Sequence, residues 1–388
     1  MKKILLITLA LITGLYNAEA QKKRPRDYGI TFGVLSTGTN NAITDVPGVK
    51  VGHVTVITGD SVNTGVTAIV PHGGNIFQQK VPAAIYVANG FGKLAGVTQV
   101  QELGNIETPV ILTNTLSIAA GLEGLIDYTF SFQENRNVRS VNGIVGETND
   151  GGLNDIRGRH ITRDHVLSAI LNATTGPVAE GNVGAGTGTQ CLGFKGGIGT
   201  SSRVMPESSG GYAVGVLVQT NFGGTLQIDG VPVGAELGRQ RFKNLSNEAR
   251  EDGSCMMVII TDAPLGVRDL ERLAVRASFG MVRAGGIASH GSGDYVIAIS
   301  TATENRISYS SRELVEEKKL IRSDRLDLFF QAAIEATEEA IINSLFAAET
   351  VKSSSGAVRS ESLPVNEVLE IMKKYHKISK FDVLNPRQ

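Results

Sequence analysis

The chain has 388 residues, of which 41% are hydrophobic and 19% charged, a balance too apolar for a disordered protein and sufficient for one large domain or two fused lobes. Lysine and arginine number 37 against 38 aspartates and glutamates, a formal net charge of −1, so the composition excludes the strong charge footprint of a nucleic-acid or anionic-membrane partner. Glycine is enriched, with 46 residues, against a usual share of about 7%. We therefore expect tight turns and close backbone approaches, and small molecules, peptides or further copies of this chain as partners.

The first segment of the chain has the features of a secretory signal peptide. Two lysines precede the apolar run Ile4–Leu15, and Ala18-Glu19-Ala20 has the small-x-small pattern of a signal peptidase site. A membrane anchor is the alternative, but this apolar run is too short to span about 30 Å of hydrocarbon. We predict that residues 1–20 are a cleaved signal peptide and that the mature protein is periplasmic or secreted.

Short apolar runs bounded by turn residues predict buried strands, and longer runs with helical spacing predict helices. In chain order the predicted strands are Ala68–Val70, Ala84–Ala88, Val110–Leu112, Tyr212–Val218, Cys255–Thr261 and Tyr295–Ser300, and the predicted helices are Asp164–Asn172, Val267–Met281, Arg325–Phe346 and Val365–Tyr375.

Within the third predicted helix, apolar residues spaced by three and four predict one buried stripe, made of Leu326, Phe329, Phe330, Ala333, Ile334, Ile341 and Leu345. Ser353–Gly356 then has the composition of a flexible linker. The irregular alternation of strands and helices favours a layered α/β sandwich over a doubly wound sheet.

The only cysteines in the chain are Cys191 and Cys255. They could pair after export, but an exported chain of this length can bury enough apolar surface to fold without a disulfide. We predict two free, buried cysteines.

The segment Glu180–Ser201 is dense in glycine and includes Gly184-Ala185-Gly186-Thr187-Gly188-Thr189. A dinucleotide fingerprint requires a strand just before it and a helix opening on its last glycine. Neither pattern is present, and no Lys-Ser/Thr pair of a P-loop follows, so we predict no nucleotide site. Two interpretations stay open: a purely structural set of turns, or a wall where the substrate backbone approaches closely.

Metal-binding and α/β-hydrolase motifs are also missing from the sequence. The histidines show no HExxH or HxH spacing, and His160 and His165, five positions apart, do not share a helical face. Gly291-Ser292-Gly293 is only half of a GxSxG elbow. We predict neither a metal ion nor an organic cofactor.

The dipeptide Gly253-Ser254 stands directly before a continuous apolar strand. Taken alone, it is most simply a turn that leads into the strand. The alternative is that the chain is cut there, because glycine has no Cβ and leaves its carbonyl accessible to the hydroxyl of the next residue. Hydrolysis after an N-to-O acyl shift would free the amine of Ser254, whose pKa of about 7.7–8.0 suits a base for its own hydroxyl.

Several ordered segments around this junction match one known family. They are Asn41–His53, Gly146–Asp150, Leu153–Asp155, Gly181–Gly188, Gly193–Gly199, Gly253-Ser254 and Thr261–Leu265. With these motifs the sequence resembles, from about Gly33 to Tyr375, the DmpA-type aminopeptidases, which include L-aminopeptidase/D-amidases and β-peptidyl aminopeptidases.

The resemblance implies autoproteolysis between Gly253 and Ser254. The products would be an α chain of residues 21–253 and a β chain of residues 254–388. It also implies one peptidase domain with a four-layer αββα sandwich of the N-terminal-nucleophile-like DmpA and ornithine acetyltransferase type, and a homo-oligomer of αβ units.

Several site roles carry over with the resemblance. Asn221 matches the family's oxyanion-stabilising asparagine, an effect typically worth about 3 kcal/mol in the transition state. Ser292 and Asp294 match a serine and an acidic residue that orient or relay the nucleophile's proton, although the family carries Glu where this chain has the shorter Asp294. Glu147 stands where the family places a carboxylate for the substrate's free amino group.

One family feature is missing. A tyrosine that is assigned to catalysis in some members should fall near residues 149–152, but this chain has Asn149-Asp150-Gly151-Gly152 there. The contribution of that tyrosine is therefore absent or comes from elsewhere in the chain.

We predict a periplasmic serine aminopeptidase or amidase that releases N-terminal residues from short peptides, amino acid amides or esters through an acyl-enzyme on Ser254. Two alternatives remain: an acyltransferase of the ornithine acetyltransferase type, whose nucleophile is a processed threonine, and an unprocessed binding protein on the same scaffold. The serine at 254 and the signal peptide argue against the acyltransferase. The sequence leaves open the preference for L-, D- or β-amino acids, the oligomer number, and whether the Ser254 amine or the Ser292 and Asp294 pair is the base.

Overall fold

The structure, a computed structural model, describes residues 23–243 and 253–378. The predicted signal peptide therefore lies outside the described residues. The strands of these ranges are, in chain order, β1 (Lys50–Thr58), β2 (Val62–Val70), β3 (Gln79–Gly90), β4 (Leu94–Ala95), β5 (Asn105–Ile106), β6 (Val110–Asn114), β7 (Ile144–Thr148), β8 (Gln190–Cys191), β9 (Phe194–Lys195), β10 (Ile198–Val204), β11 (Ala213–Asn221), β12 (Gly253–Thr261), β13 (Ser292–Ser300), β14 (Ile307–Ser308), β15 (Val351–Lys352) and β16 (Val358–Ser360).

The α-helices of the same ranges are α1 (Val97–Leu103), α2 (Ile118–Phe130), α3 (Arg163–Leu171), α4 (Val233–Glu236), α5 (Val267–Arg283), α6 (Asp327–Ala347) and α7 (Val365–Lys374). None of these described helices combines the length and the apolar character needed to cross a membrane.

Two sheets and two pairs of helices form four layers. The first sheet has the order β1-β2-β6-β7-β4, and the second has the order β10-β11-β12-β13-β3-β14, with β5 also paired to β3. Helices α2 and α3 pack on the outer face of the first sheet, α5 and α6 pack on the outer face of the second, and the inner faces of the two sheets pack on each other. The αββα sandwich implied by the family resemblance is confirmed.

Strand β12 lies in the middle of this arrangement and is buried along its whole length. Because side chains alternate along a strand, Met257 packs in the core beneath α5 and α6, whereas Val258 packs in the core between the sheets. A strand buried on both faces is continuously apolar, as Cys255–Ile260 is.

The register of β12 brings several polar residues to one edge of the second sheet. β12 runs antiparallel to β11, which places Asn221 beside Ser254, and parallel to β13, which places Gly293 beside Ser254 and Ser292 beside Gly253. Residues far apart in the sequence therefore meet at the first residues of β12.

The predicted strands and long helices are all present, with bounds shifted by a few residues at their ends. Two other expectations were wrong. Helix α6 is buried on nearly all sides from Glu335 to Phe346 rather than along one stripe, and Phe330 and Ile334 of the predicted stripe are only half-buried. Ser353–Gly356 is the turn of the β15–β16 hairpin rather than a linker, and Ser354 donates hydrogen bonds to Asp60 from its backbone N–H, at 2.7 Å, and from its hydroxyl.

A buried ionic cluster joins the segments before and after residue 253. Arg203 on β10 is fully buried, with Nε 3.0 Å from Oε2 of Glu335 and Nη2 2.8 Å from Oε2 of Glu339, both on α6. Arg26 adds a 2.6 Å contact to Glu339. Burial alone would raise the pKa of Glu339, but the hydrogen bond and charge of Arg26 and the charge of Arg203 outweigh it and hold the pKa below its ordinary value.

We expect Arg203→Met to destabilise the protein by about 3–5 kcal/mol, because it leaves buried carboxylates without their partner. The measurement is the midpoint of thermal unfolding, with Arg163→Met as the control. Arg163 pairs with Asp127 at 3.4 Å on the surface, where an ion pair contributes little. The Arg163→Met variant should therefore have the same unfolding midpoint as the wild type. Equal midpoints for Arg203→Met and the wild type would contradict a stabilising role of the cluster.

Candidate active site

Ser254 is the second residue of β12, and its side chain faces the space between the sheets. Its neighbour Cys255 packs on the helix side and Met256 between the sheets, so alternation places the Ser254 side chain with Met256. The backbone N–H of Asn149, just beyond the end of β7, donates to Oγ of Ser254 over 3.4 Å. A hydroxyl oxygen at that position is next to a fixed donor of the opposite sheet.

Asn221 lies directly beside Ser254 and has a fixed amide orientation. The backbone N–H of Gln190 donates to its Oδ1 at 3.0 Å, and its Nδ2 donates to the backbone oxygen of Asn149 at 2.9 Å. The predicted strand Tyr212–Val218 ends before Asn221, whereas in the structure Asn221 is the last residue of β11. The ladder with β12 therefore sets its position.

Ser292 and Asp294 form a hydrogen-bonded pair beside the Gly253 end of β12. Oγ of Ser292 donates to Oδ1 of Asp294 at 2.8 Å, so the shorter acidic side chain still reaches the serine. A Cβ placed on Gly253 would lie 3.3 Å from Oγ of Ser292. By alternation the pair occupies the sheet face opposite the Ser254 side chain, so it adjoins the predicted scissile residue rather than the nucleophile's hydroxyl.

The electrostatics of this pair follow from its burial. Burial raises the pKa of Asp294 to about 6, while hydrogen bonds from the Ser292 hydroxyl and the Cys255 backbone offset part of the rise. The carboxylate is therefore ionised above about pH 6 and protonated below it.

Glu147 on β7 presents a buried carboxylate on the same sheet face as the Ser254 side chain, opposite the face of Ser292 and Asp294. The backbone N–H of Lys93 donates to its Oε1 at 2.8 Å, and the Thr115 hydroxyl donates to its Oε2. Burial raises the pKa of Glu147, and these two hydrogen bonds offset part of the rise. A Cβ on Gly92 would lie 3.2 Å from both Oε1 of Glu147 and Cα of Gly293, which places the carboxylate over the β13 side of Ser254.

A tyrosine does lie near this carboxylate, but it comes from β13 rather than from residues 149–152. The ring of Tyr295 would be 3.2 Å from a Cβ on Gly92. Burial, followed by the negative charges of Glu147 and Asp294, raises the pKa of Tyr295. The sequence predicts Tyr295 only as the first residue of a strand, because no strand pattern indicates that its ring faces a carboxylate.

The glycine-rich segment divides into two parts with different environments. Gly184–Thr189 is buried, and a Cβ on Gly188 would lie 2.2 Å from the backbone oxygen of Asn63, so this part is the structural set of turns. Gln190–Gly193 instead lines an open cavity beside Asn221. The structural interpretation therefore applies to Gly184–Thr189, and the interpretation as a wall beside the substrate stays a prediction for Gln190–Gly193.

Lys195 links the first of these parts to Gly196, just beyond the second. Its Nζ donates to the backbone oxygens of Gly186 at 2.9 Å and Gly196 at 2.8 Å. Burial lowers the pKa of Lys195 to about 7. Because Gln190 lies between the two carbonyls in sequence, this contact supports the loop whose N–H orients Asn221. The sequence places Lys195 only within a segment that matches the family, and its buried role in the loop was not predicted.

Both cysteines are free and buried, as expected. Cys191 lines the cavity beside Asn221, and Cys255 follows Ser254 on the helix side of the sheet. Burial raises the pKa of the Cys191 thiol to about 12, which disfavours a reactive thiolate.

A serine hydroxyl at the start of a central strand, a fixed amide beside it and a buried carboxylate nearby define, in an αββα sandwich, a serine-type hydrolase of the N-terminal-nucleophile class. Comparison with known proteins identifies the family within this class. The sequence profile of peptidase family S58 matches residues 41–359. The chain belongs to this family and is a serine aminopeptidase or amidase.

Individual relatives agree with this assignment. The β-peptidyl aminopeptidase BapA of Sphingosinicella microcystinivorans is 41% identical over 95% of this chain and 98% of its own. The crystal structure of the PH0078 protein from Pyrococcus horikoshii OT3 superposes with a TM-score of 0.83 and 47% identity over 91% of this chain and 99% of that one. The structure of the L-aminopeptidase D-Ala-esterase/amidase of Ochrobactrum anthropi is described as a prototype of the serine aminopeptidases with a variant Ntn-hydrolase fold. It superposes with a TM-score of 0.82 and 34% identity over 92% of this chain and 99% of that one.

Proposed function

We propose that the chain cuts itself between Gly253 and Ser254 and then uses the new N-terminal serine to release N-terminal residues, β-amino acid residues among them, from short peptides, amides and esters. The observation that carries the proposal is the position of the Ser254 hydroxyl at the Asn149 N–H and beside the Asn221 amide. The cut would give an α chain of residues 21–253 and a β chain of residues 254–388.

Self-cleavage needs no group from outside the chain except water. Oγ of Ser254 attacks the carbonyl carbon of Gly253, and the peptide bond breaks as the acyl group moves from nitrogen to oxygen. Water then hydrolyses the ester, leaving a carboxylate on Gly253 and a free amine and hydroxyl on Ser254. Glycine suits this step because no side chain shields its carbonyl.

In turnover, the Ser254 amine takes the proton of its own hydroxyl as Oγ attacks the substrate carbonyl. The negative charge that develops on the carbonyl oxygen is stabilised by the Asn149 N–H and by Nδ2 of Asn221. A primary amide has two N–H donors, and the Asn149 carbonyl accepts from one of them, so the other can serve the oxyanion. The departing amine takes the proton, and water hydrolyses the acyl-enzyme.

The Ser292 and Asp294 pair supports the amine rather than the hydroxyl. It adjoins Gly253 from the opposite sheet face, so after cleavage it faces the newly formed end of β12. Because Ser292 donates its hydrogen to an ionised Asp294, its oxygen can accept from the Ser254 amine and orient the amine's lone pair. We therefore propose the Ser254 amine as the base.

Protonation of the Ser254 amine, whose ordinary pKa is about 7.7–8.0, should give the pH profile of kcat a first acid limb. We expect a second limb below about pH 6, where protonation of Asp294 makes kcat fall by about a further tenfold per pH unit. The kcat profile reports the enzyme–substrate complex, in which Glu147 is already paired with the substrate ammonium. The measurement is kcat against pH for the wild type and for self-cleaved Asp294→Asn, which should be slower and lack the second limb. An unchanged second limb in the variant would contradict the role of Asp294.

Glu147 gives the enzyme its requirement for a free N-terminus. An ammonium held at Glu147 gains the partner that a buried cation needs. The β-amino acid scope is supported by the name of the Sphingosinicella relative, which covers nearly the whole chain.

The test of the proposed function is the release of p-nitroaniline from β-alanyl, L-alanyl and N-acetyl-L-alanyl p-nitroanilides by the purified protein. The two free-amine substrates should be hydrolysed, and the acetylated one should not. Hydrolysis of the acetylated substrate at a similar rate would contradict an aminopeptidase, and turnover of L-alanyl alone would contradict the β-amino acid scope.

We also propose export and assembly. The N-terminal segment supports removal of residues 1–20 and a periplasmic or secreted enzyme, and the resemblance to the family supports a homo-oligomer of αβ units. The N-terminus of the periplasmic fraction and the molar mass in solution test these two points.

A further inference from the structure

The open cavity beside Asn221 lies on the side of Ser254 away from Glu147. It has a volume of about 380 Å³ and is lined by Asn149, Gly152, Gln190, Cys191, Leu192, Gly193, Asn221, Phe222 and Gly223. This volume falls in the range of about 300–1,000 Å³ that is usual for small-molecule sites. The mechanism described above does not use it beyond Asn149 and Asn221.

The neighbours of Ser254 fix the direction in which a substrate crosses the sheet edge. On one side, β13 places Gly293 beside Ser254, and the Glu147 carboxylate is close to Gly293 through the position of Gly92. On the other side, β11 places Asn221 beside Ser254. A substrate whose ammonium is at Glu147 and whose carbonyl is at Ser254 therefore directs its leaving portion over β11, into the cavity.

The described residues that line the cavity carry no charge. Those with polar side chains are two asparagines, a glutamine and a cysteine, and the rest are glycine, leucine and phenylalanine. At the Gly193 end, Nη1 of Arg239 donates to the Gly193 backbone oxygen at 2.5 Å, and the same guanidinium is paired with Glu361. This guanidinium is therefore already compensated by an anion.

From this placement, and resting on the proposed function, we infer that the cavity is the subsite for the leaving portion of the substrate and that it favours an uncharged one. A peptide that continues as an amide presents dipoles to the lining. A dipeptide with a free carboxylate places a charge where none of the described lining residues is a cation, which is unfavourable in a partly closed site.

Gln190 offers a direct way to change the charge of this subsite. Its side chain is exposed, and its Nε2 donates to Oγ of Ser360 at 3.2 Å. The contact that orients Asn221 comes from its backbone N–H, which a side-chain substitution retains. Gln190→Lys and Gln190→Glu therefore add opposite charges to the cavity at a single position.

The experiment compares kcat/KM for H-Ala-Leu-OH and H-Ala-Leu-NH2 in the wild type and both variants. The readout is the ratio of the acid to the amide, so a general loss of activity cancels. We expect a ratio below one in the wild type, a rise of about three- to tenfold in Gln190→Lys and a fall in Gln190→Glu. The control is Gln101→Lys, an exposed position on α1, which should leave the ratio unchanged.

The outcomes separate this inference from the proposed function. If the wild type releases no alanine from H-Ala-NH2, the proposed function fails. If alanine is released but the acid-to-amide ratio is the same in all four proteins, or exceeds one in the wild type, the subsite assignment is overturned and the aminopeptidase function stands.

Discussion

Ser254→Ala is expected to remain a single uncut chain and to lose aminopeptidase activity by about 10⁴-fold or more. In the proposed mechanism the substitution removes the attacking atom of both reactions, Oγ, and without the first reaction the amine proposed as base is never released. The measurement is denaturing electrophoresis with intact mass, together with p-nitroanilide hydrolysis. No other change of similar size in this site should remove both reactions at once.

The matched control is Ser289→Ala, a half-buried serine that precedes Ser292 at the same end of β13. Its hydroxyl has no part in the proposed chemistry, so the variant should cut itself and hydrolyse substrate as the wild type does. A Ser254→Ala protein that still separates into two fragments would show that another group cleaves the chain and would remove the basis for the N-terminal nucleophile.

Glu147→Gln is expected to separate the two reactions. Gln keeps the shape of the side chain but cannot neutralise the substrate ammonium, so kcat/KM for free-amine substrates should fall by about 10²- to 10³-fold, as for the loss of one partner of a buried charge pair. Self-cleavage should proceed normally, because the peptide bond before Ser254 is internal and presents no ammonium. Steady-state kinetics and electrophoresis of the same preparation measure the two effects.

Glu102→Gln is the control for this variant, since Glu102 is exposed on α1. It should match the wild type in both assays. A Glu147→Gln enzyme with normal kcat/KM would contradict the assignment of this carboxylate to the substrate's amino group.

Much of the fold could be predicted because many of its strands, β12 and β13 among them, are buried on both faces. The continuous apolar run Cys255–Ile260 is visible in the sequence since no polar residue interrupts it, and the helix Val267–Met281 shows a regular apolar repeat. The layer order and the position of Ser254, by contrast, came from the resemblance to the family. No local pattern indicates that Gly253-Ser254 begins a strand beside Asn221 and Ser292 rather than forming a turn before it.

What the sequence did not predict depends on tertiary contacts. Helix α6 was expected to show one buried stripe, but Arg203 and Arg26 compensate Glu335 and Glu339, which allows charged positions of the helix to be buried. The roles of the Asn149 backbone N–H and of Lys195 were also missed. A backbone donor has no residue type by which to recognise it, and a lysine in a glycine-rich loop is ordinarily read as solvent-exposed.

The sequence leaves open whether the Ser254 amine or the Ser292 and Asp294 pair takes the proton, and the two faces of β12 bear on this question. Ser292 and Asp294 are close to Ser254 in the strand ladder, but the alternation of side chains places them across the sheet from its hydroxyl. Sequence spacing alone does not distinguish a relay to the hydroxyl from support of the amine. The register of β12 against β13, in which Gly293 rather than Ser292 lies opposite Ser254, supports the proposed role of the pair beside the amine.

The most direct test of the account is the intact mass of the wild-type protein, measured at rest and after acid quenching during turnover of an aminoacyl ester. The account predicts two fragments, the smaller beginning at Ser254, and in the quenched sample an added mass of one aminoacyl group on that fragment, mapped to Ser254. A single uncut chain that turns over substrate, or an aminoacyl adduct on another residue, would contradict it.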